Sequence, residues 1–250
     1  MIQLFSIILG LTFGSFLNVV IYRLPQNIFF SRARSFCPNC KYKIPFYSNI
    51  PVLSFLFQRG RCTNCLELIS IQYPIVELLS ALIWWWASIN YSLHEGIIFI
   101  WITSILLAVS IIDYRTGLIP FPLIVSAFLG LLVSIFLNTN ILWRESFWGA
   151  VMGLGYLSLV FLLTAALFNK QTLGFGDLLL ITITGMWLGP VNVLLSIFLS
   201  AVLALIMWGI ISLFKGFDRS RAMPFGPYLS GSAIFLYILD IDLLTYLSST

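Results

Sequence analysis

Long apolar runs alternate with short polar breaks along the chain, and the breaks carry most of the charge. The first run covers residues 2–22. A polar stretch, 23–73, separates it from a second run at about 74–91, which opens at Pro74 and carries Glu77. Further runs occupy about 96–113, 119–137 and 147–168. The stretch 178–214 is too long for one membrane helix. Gly189-Pro190 divides it, because a residue before proline is pushed out of the helical region. A last run covers about 227–247. A helix needs roughly 20 apolar residues to cross a bilayer. The pattern therefore predicts an all-α polytopic membrane protein of about eight helices, with seven as the alternative count. The whole chain, 1–250, reads as one membrane domain, with a small insert at 23–73 and a transmembrane core at 74–250. No low-complexity segment or repeat of fixed period is visible.

Composition excludes a soluble domain: 60% of the residues are hydrophobic and 9% charged, against about 25% charged in ordinary globular chains. The net charge of +4 needs no nucleic acid to explain it, because cytoplasmic loops of membrane proteins collect Lys and Arg. Seven of the thirteen basic residues lie in 23–73. With that insert in the cytoplasm and the runs alternating, Arg115, Lys170, Lys215, Arg219 and Arg221 are cytoplasmic too. Only Arg144 falls outside, and both termini face outward. The N-terminus has no basic n-region, and its apolar stretch continues past Gly14-Ser15 to Ile21. It reads as a retained helix, not a cleaved signal.

Charge alone thus brings two acids to one membrane face. Asp113 ends the run Ile105 to Ile112. Asp177 sits in Leu173-Gly174-Phe175-Gly176-Asp177-Leu178-Leu179, at the mouth of the next long run. Acids inside membrane segments cost free energy and point to function. The flanking glycines allow a sharp turn or a close backbone approach. The bland alternative for Asp177 is a helix cap after a glycine turn. Glu77 is a third such acid. It pairs with a base, lines a site, or is a helix-end acid near the headgroups. His94, the one histidine, reads as a solvated loop residue on the outer face, so no Ser-His or Cys-His arrangement competes. The Trp84-Trp85-Trp86 cluster reads as interfacial or packing aromatics.

Cys37-x-x-Cys40 and Cys62-x-x-Cys65 are separated by 21 residues. Two such knuckles supply four thiolates for a closed, structural zinc site. Two disulfides are the rival reading, which a reducing cytoplasm opposes. A metal would let the insert fold with almost no core of its own. The basic residues around it can rest on anionic headgroups of membrane lipids.

The ordered set of motifs resembles the type IV prepilin peptidases, the leader peptidase/N-methyltransferases that are intramembrane aspartyl proteases. It begins with Gly14-Ser15-Phe16-Leu17-Asn18-Val19-Val20-Ile21-Tyr22-Arg23-Leu24-Pro25. The two knuckles follow, with Asn49-Ile50-Pro51-Val52 and Arg59-Gly60-Arg61 between them. Ile69-Ser70, Tyr73-Pro74 and Glu77 come next. Asp113-Tyr114-Arg115-Thr116, Ile119-Pro120, Gly174-Phe175-Gly176-Asp177 and Pro224-Phe225-Gly226-Pro227 complete the set. The resemblance implies an eight-helix enzyme of the bacterial cytoplasmic membrane. It implies leader cleavage of prepilins or pseudopilins from pilus, type II secretion or competence systems. It also implies methylation of the new N-terminus with S-adenosylmethionine. Asp113 and Asp177 match the catalytic aspartates, and Gly60 and Arg61 match positions linked to methylation. Two positions depart from the family: Phe121 stands where an acid is usual, and Leu179 where a lysine is usual. A proton-coupled transporter, the rival class, would also use buried acids and broken helices. It leaves the knuckles unexplained and lacks a matching pair of interrupted helices. A zinc-stabilised scaffold without chemistry is a third reading. The sequence does not indicate an oligomeric state.

Overall fold

The computed structural model describes residues 1–26, 28, 35–137, 142–168, 174–218 and 223–239. These residues form helices α1 (Ile2–Arg23), α2 (Leu53–Phe57), α3 (Gln72–Asn90), α4 (Leu93–Thr116), α5 (Phe121–Phe136), α6 (Trp143–Phe168), α7 (Phe175–Lys215) and α8 (Gly226–Leu239). Extended pairing among the described residues is limited to two antiparallel bridges, Phe36 with Lys43 and Arg61 with Leu68. By length and apolarity α1, α4, α6 and α7 can each cross a membrane, and α5 and α8 are shorter apolar helices. The protein is a multi-pass membrane protein. Lys170, Arg219, Arg221, Leu173 and the end of the last predicted run lie outside the described residues.

Helix α7 holds 41 residues, which at 1.5 Å each is about 60 Å, twice the hydrocarbon thickness. It is two helices joined at Gly189, whose φ of 78° and ψ of 177° leave the helical region just before Pro190. Only glycine takes that φ without strain, so the expected break falls where the dipeptide puts it. Elsewhere the helices outrun the apolar pattern. Helix α4 starts at Leu93 and ends at Thr116, and α6 starts at Trp143. Glu95 and Glu145 occupy their first turns, where an acid complements the helix dipole. Apolarity alone misses such polar turns.

The chain divides into two compact units, residues 1–104 and 105–250, with α4 running through the division. In the first unit α1 and α3 pack antiparallel along small residues. A Cβ on Gly10 would meet the Ala81 Cα at 2.7 Å, and one on Gly14 would meet the Glu77 Cα at 2.7 Å. Asn18 extends the register by donating through Nδ2 to the Tyr73 carbonyl at 3.0 Å. Trp84 packs its ring on Phe13, 5.8 Å between centroids, so at least this member of the tryptophan cluster is a packing residue.

In the second unit α7 packs against α5, α6 and α8. Ser196 and Ser232 hydroxyls meet at 3.0 Å between α7 and α8. The Trp187 and Tyr237 rings stack at 4.2 Å. Helices α6 and α7 cross backbone to backbone at Gly149 and Gly185, where a Cβ on either would overlap the other's carbonyl. Small residues at such crossings let membrane helices gain dispersion contacts that lipid cannot replace. Gly149→Ala should therefore lower thermal stability in detergent by about 1–3 kcal/mol. Gly155→Ala, which meets nothing within 4 Å, should leave the melting curve unchanged.

Candidate active site and metal centre

Asp113 lies in the last turn of α4 and is buried. Its Oδ2 accepts the main-chain N–H of Gly226 at 2.9 Å. Gly226 is the first residue of α8, so the carboxylate faces the positive end of a helix. Gly226 has to be glycine for this approach, since a Cβ there would sit 2.6 Å from Oδ2.

Asp177 occupies the first turn of α7, and its Oδ2 accepts the Gly174 N–H at 3.0 Å. The Asp113 carboxylate lies within its electrostatic reach. The glycines beside Asp177 make no left-handed turn. Gly174 is extended, with φ −82° and ψ 149°, and Gly176 is inside the helix. What Gly176 supplies is space: a Cβ there would meet the Ile119 Cβ at 2.9 Å, which lets the start of α7 close on the turn after α4. The two acids that loop charge placed on one face thus lie in the same compact unit, within electrostatic reach of each other.

Among the described residues Glu77 pairs with no base, and it does not sit free at a helix end. It is buried at 7% exposure, and its Oε2 accepts the Val52 N–H at 2.7 Å. The Ser15 hydroxyl also bonds it. Val52 has a positive φ of 60°, unusual for a β-branched residue. The acid therefore clamps a strained loop onto α1 and α3.

The four cysteines converge, with all their sulfurs within 4.8 Å of one another. Cys37 and Cys65 sulfurs are 3.9 Å apart, and those of Cys40 and Cys62 are 4.0 Å apart. A disulfide needs about 2.05 Å. A tetrahedral ion with bonds of about 2.3 Å sets its thiolates about 3.8 Å apart, so the cluster fits one metal ion.

Each knuckle repeats the other. Cys37 N bonds Tyr42 O and Cys62 N bonds Glu67 O, both at 2.9 Å; Lys41 N and Leu66 N bond back to Cys37 O and Cys62 O. Lys41 and Leu66 take matching φ values of 59° and 60°. Main-chain N–H groups aim at the sulfurs. That of Tyr42, with the Asn64 amide, lowers the Cys40 thiol to about 6. Those of Cys65 and Asn64 lower Cys62. The Glu67 N–H pulls Cys65 the same way, but burial and the neighbouring thiols outweigh it and push Cys65 up to about 12. A cation at the centre favours the thiolate at all four.

Gly60 is buried with φ 65°. It donates to Phe55 O at 2.9 Å and accepts from Ile69 N at 2.7 Å, under the Phe55 ring. It forms the turn that feeds Arg61, which is exposed, and Cys62. His94 is exposed as expected but belongs to α4, not to a loop. Phe121 opens α5 and is exposed, while Leu179 is half-buried on α7. Sequence reasoning missed the main-chain donors of Gly226 and Val52, because a backbone N–H leaves no mark on residue type.

A family model described as the bacterial peptidase A24 N-terminal domain matches residues 8–91, and one described as the type IV leader peptidase family matches 97–209. The chain is similar to proteins named prepilin leader peptidase/N-methyltransferase. That of Stutzerimonas stutzeri is 33% identical over 90% of this chain and 86% of the relative. That of Pseudomonas putida is 34% identical over 89% and 85%. That of Pectobacterium carotovorum subsp. carotovorum is 33% identical over 93% and 91%. No solved structure matches the chain.

The Glu77 clamp is directly testable. Glu77→Ala leaves the Val52 N–H without its acceptor, which should cost about 1–3 kcal/mol. Glu77→Gln keeps an acceptor oxygen and should recover most of that loss. Thermal unfolding of the two variants beside wild type reads the difference, and equal melting temperatures would remove the clamp.

Proposed function

The chain belongs to the type IV leader peptidase family, and from that premise we propose that it cleaves the leader from type IV prepilins or pseudopilins and then methylates the new N-terminal amine. The observation that carries the reading is the pair Asp113 and Asp177, each fixed by a main-chain donor at a helix end and each within electrostatic reach of the other. The setting is the cytoplasmic membrane of a bacterium, with both acids at the cytoplasmic face. Residues 23–73 form the cytoplasmic insert and 74–250 the transmembrane core.

Like charges held close in an apolar site cannot both ionise, so the pair carries one proton. The ionised Asp takes a proton from water as its oxygen attacks the scissile carbonyl. The protonated Asp gives its proton to the carbonyl oxygen. Collapse of the tetrahedral adduct breaks the C–N bond: one adduct hydroxyl returns its proton to the second Asp as the carbonyl re-forms, and the amine leaves with the proton that the first Asp had taken. The titrations are shared by the pair. Only an extended backbone can be cut this way, so the substrate enters through a water-accessible groove.

Cys37, Cys40, Cys62 and Cys65 hold one structural zinc ion, and their sulfur spacing supports that assignment. S-adenosylmethionine, when bound, supplies an electrophilic methyl group to the free amine of the cut pilin. Gly60 and Arg61 serve that second step. The exposed Arg61 offers guanidinium donors that fit the donor's carboxylate, and Gly60 positions it through the turn described above. The proposed proteolytic acids and the proposed methylation residues fall in different compact units, which supports two separable activities.

Asp113→Asn and Asp177→Asn should each lower prepilin cleavage by several orders of magnitude, and the double variant should be little worse, because the pair acts as a unit. Both single variants should still methylate a pilin supplied already cut. A gel-shift assay on prepilin beside radiolabel transfer to cut pilin reads both. Near wild-type cutting by folded Asp177→Asn protein would overturn the dyad.

Metal analysis should find about one zinc per chain. Affinity should fall as pH falls, because the ligand thiols must lose their protons to bind. Cys62→Ser should release the metal and harm methylation more than cleavage. Both cysteine pairs oxidised in protein kept under cytoplasmic conditions would contradict the assignment.

A further inference from the structure

Helix α2 presents an exposed apolar face that no described residue covers. Leu53, Leu56 and Phe57 stand at i, i+3 and i+4, which is one side of a helix. They are 50%, 62% and 84% exposed. Ile50, just before them, is 48% exposed. Phe55 points elsewhere and packs over Gly60. Exposed Arg59 and Arg61 follow the helix.

The depth of this face follows from one hydrogen bond. The Val52 N–H, one residue before α2, is bound by Glu77 at 2.7 Å. Glu77 is opposite Gly14 on α1, and Ser15 bonds the same carboxylate. Ser15 lies eight residues before the end of α1 at Arg23, about 12 Å along the helix axis. Glu77 lies five residues inside α3, about 7.5 Å from its start. The loop therefore turns back from the knuckles and runs alongside α1 and α3, inside their ends, before α2 begins.

Irregular backbone set against the membrane meets little water, so its polar groups gain from partners in the chain. They have them. Leu53 N bonds Pro51 O, Ser54 N bonds Ile50 O and Leu56 N bonds Val52 O, while Glu77 takes the remaining Val52 donor. A loop satisfied in this way, ending in an uncovered apolar face, is suited to lipid.

We propose that α2 is an interfacial segment, with Leu53, Leu56 and Phe57 set among the acyl chains of the inner leaflet and Arg59 at its anionic headgroups. The segment ties the metal-binding insert to the membrane surface. This rests on the multi-pass membrane reading and not on either proposed activity.

The test places photoreactive p-benzoylphenylalanine at position 57 of the full chain, and at position 56 in a second variant. Both positions are exposed, so neither substitution disturbs the core. The protein is reconstituted in vesicles of phosphatidylethanolamine and phosphatidylglycerol, illuminated and weighed by mass spectrometry. The expected result is a mass gain of one phospholipid at both positions. Replacing Leu53 and Arg59 by Ser and Gln in the same chain should remove most of that adduct. A cross-link to a second copy, a cross-link within the chain, or no adduct at either position would each overturn the proposal.

Discussion

A carboxylate placed inside an apolar bundle has to be given a hydrogen-bond donor, and this chain gives its membrane acids main-chain N–H groups. Glu77 takes Val52, Asp113 takes Gly226 and Asp177 takes Gly174, at 2.7, 2.9 and 3.0 Å. No lysine or arginine is needed for any of the three bonds. The choice matters for chemistry. An arginine would hold an acid permanently ionised through a charge-assisted pair. A single N–H orients the carboxylate without fixing it in the ionised form. For the proposed dyad that is the useful arrangement, because one member has to carry a proton.

The same requirement shapes the fold around each acid. At Asp113 the approach of a backbone N–H from another helix leaves no room for a side chain at the donor. Gly226 meets that limit directly, and Gly14 meets it on the far side of Glu77 by letting α1 lie against the Glu77 backbone. Once α1 and α3 are this close, the Ser15 hydroxyl reaches the carboxylate as well. Packing and polar satisfaction are thus one constraint expressed twice.

Much of this was legible in the residues, and the rest was not for identifiable reasons. The Gly189-Pro190 break was readable because proline restricts the residue before it and glycine alone takes the resulting φ. The convergence of the cysteines was readable because thiol chemistry leaves few uses for paired knuckles. Asp113 and Asp177 could be set on one face because loop charge orients the helices. The partner of Asp113 could not be found this way, being 113 residues downstream and a backbone atom. The match between the two knuckles also escaped, since it lies in φ values and main-chain bonds, while the residues after each second cysteine, Lys41 and Leu66, share no chemistry. Of the two roles expected of the glycines at Asp177, a sharp turn and a close approach, the structure uses the second, with Gly176 as space for Ile119.

Backbone strain among the described residues has an uneven distribution that bears on how the insert holds together. The non-glycine residues with positive φ are Lys41, Val52, Arg59 and Leu66, and all four fall within the cysteine-bearing insert. Each costs about 1–2 kcal/mol relative to a right-handed conformation. The segment has little apolar core to offset that cost, since α2 turns its large residues outward. Strain of this kind persists only where the surroundings over-determine the backbone. Two anchors do so here. Lys41 and Leu66 close the loops whose cysteines converge, and the proposed zinc would contribute about 10–16 kcal/mol, as in small metal-folded units, more than the four strained residues together cost. Val52 is held instead by Glu77, and Arg59 leads through Gly60 into the second knuckle. Loss of the metal would leave the membrane clamp in place and release the knuckles, so the insert should come apart from its outer end inward.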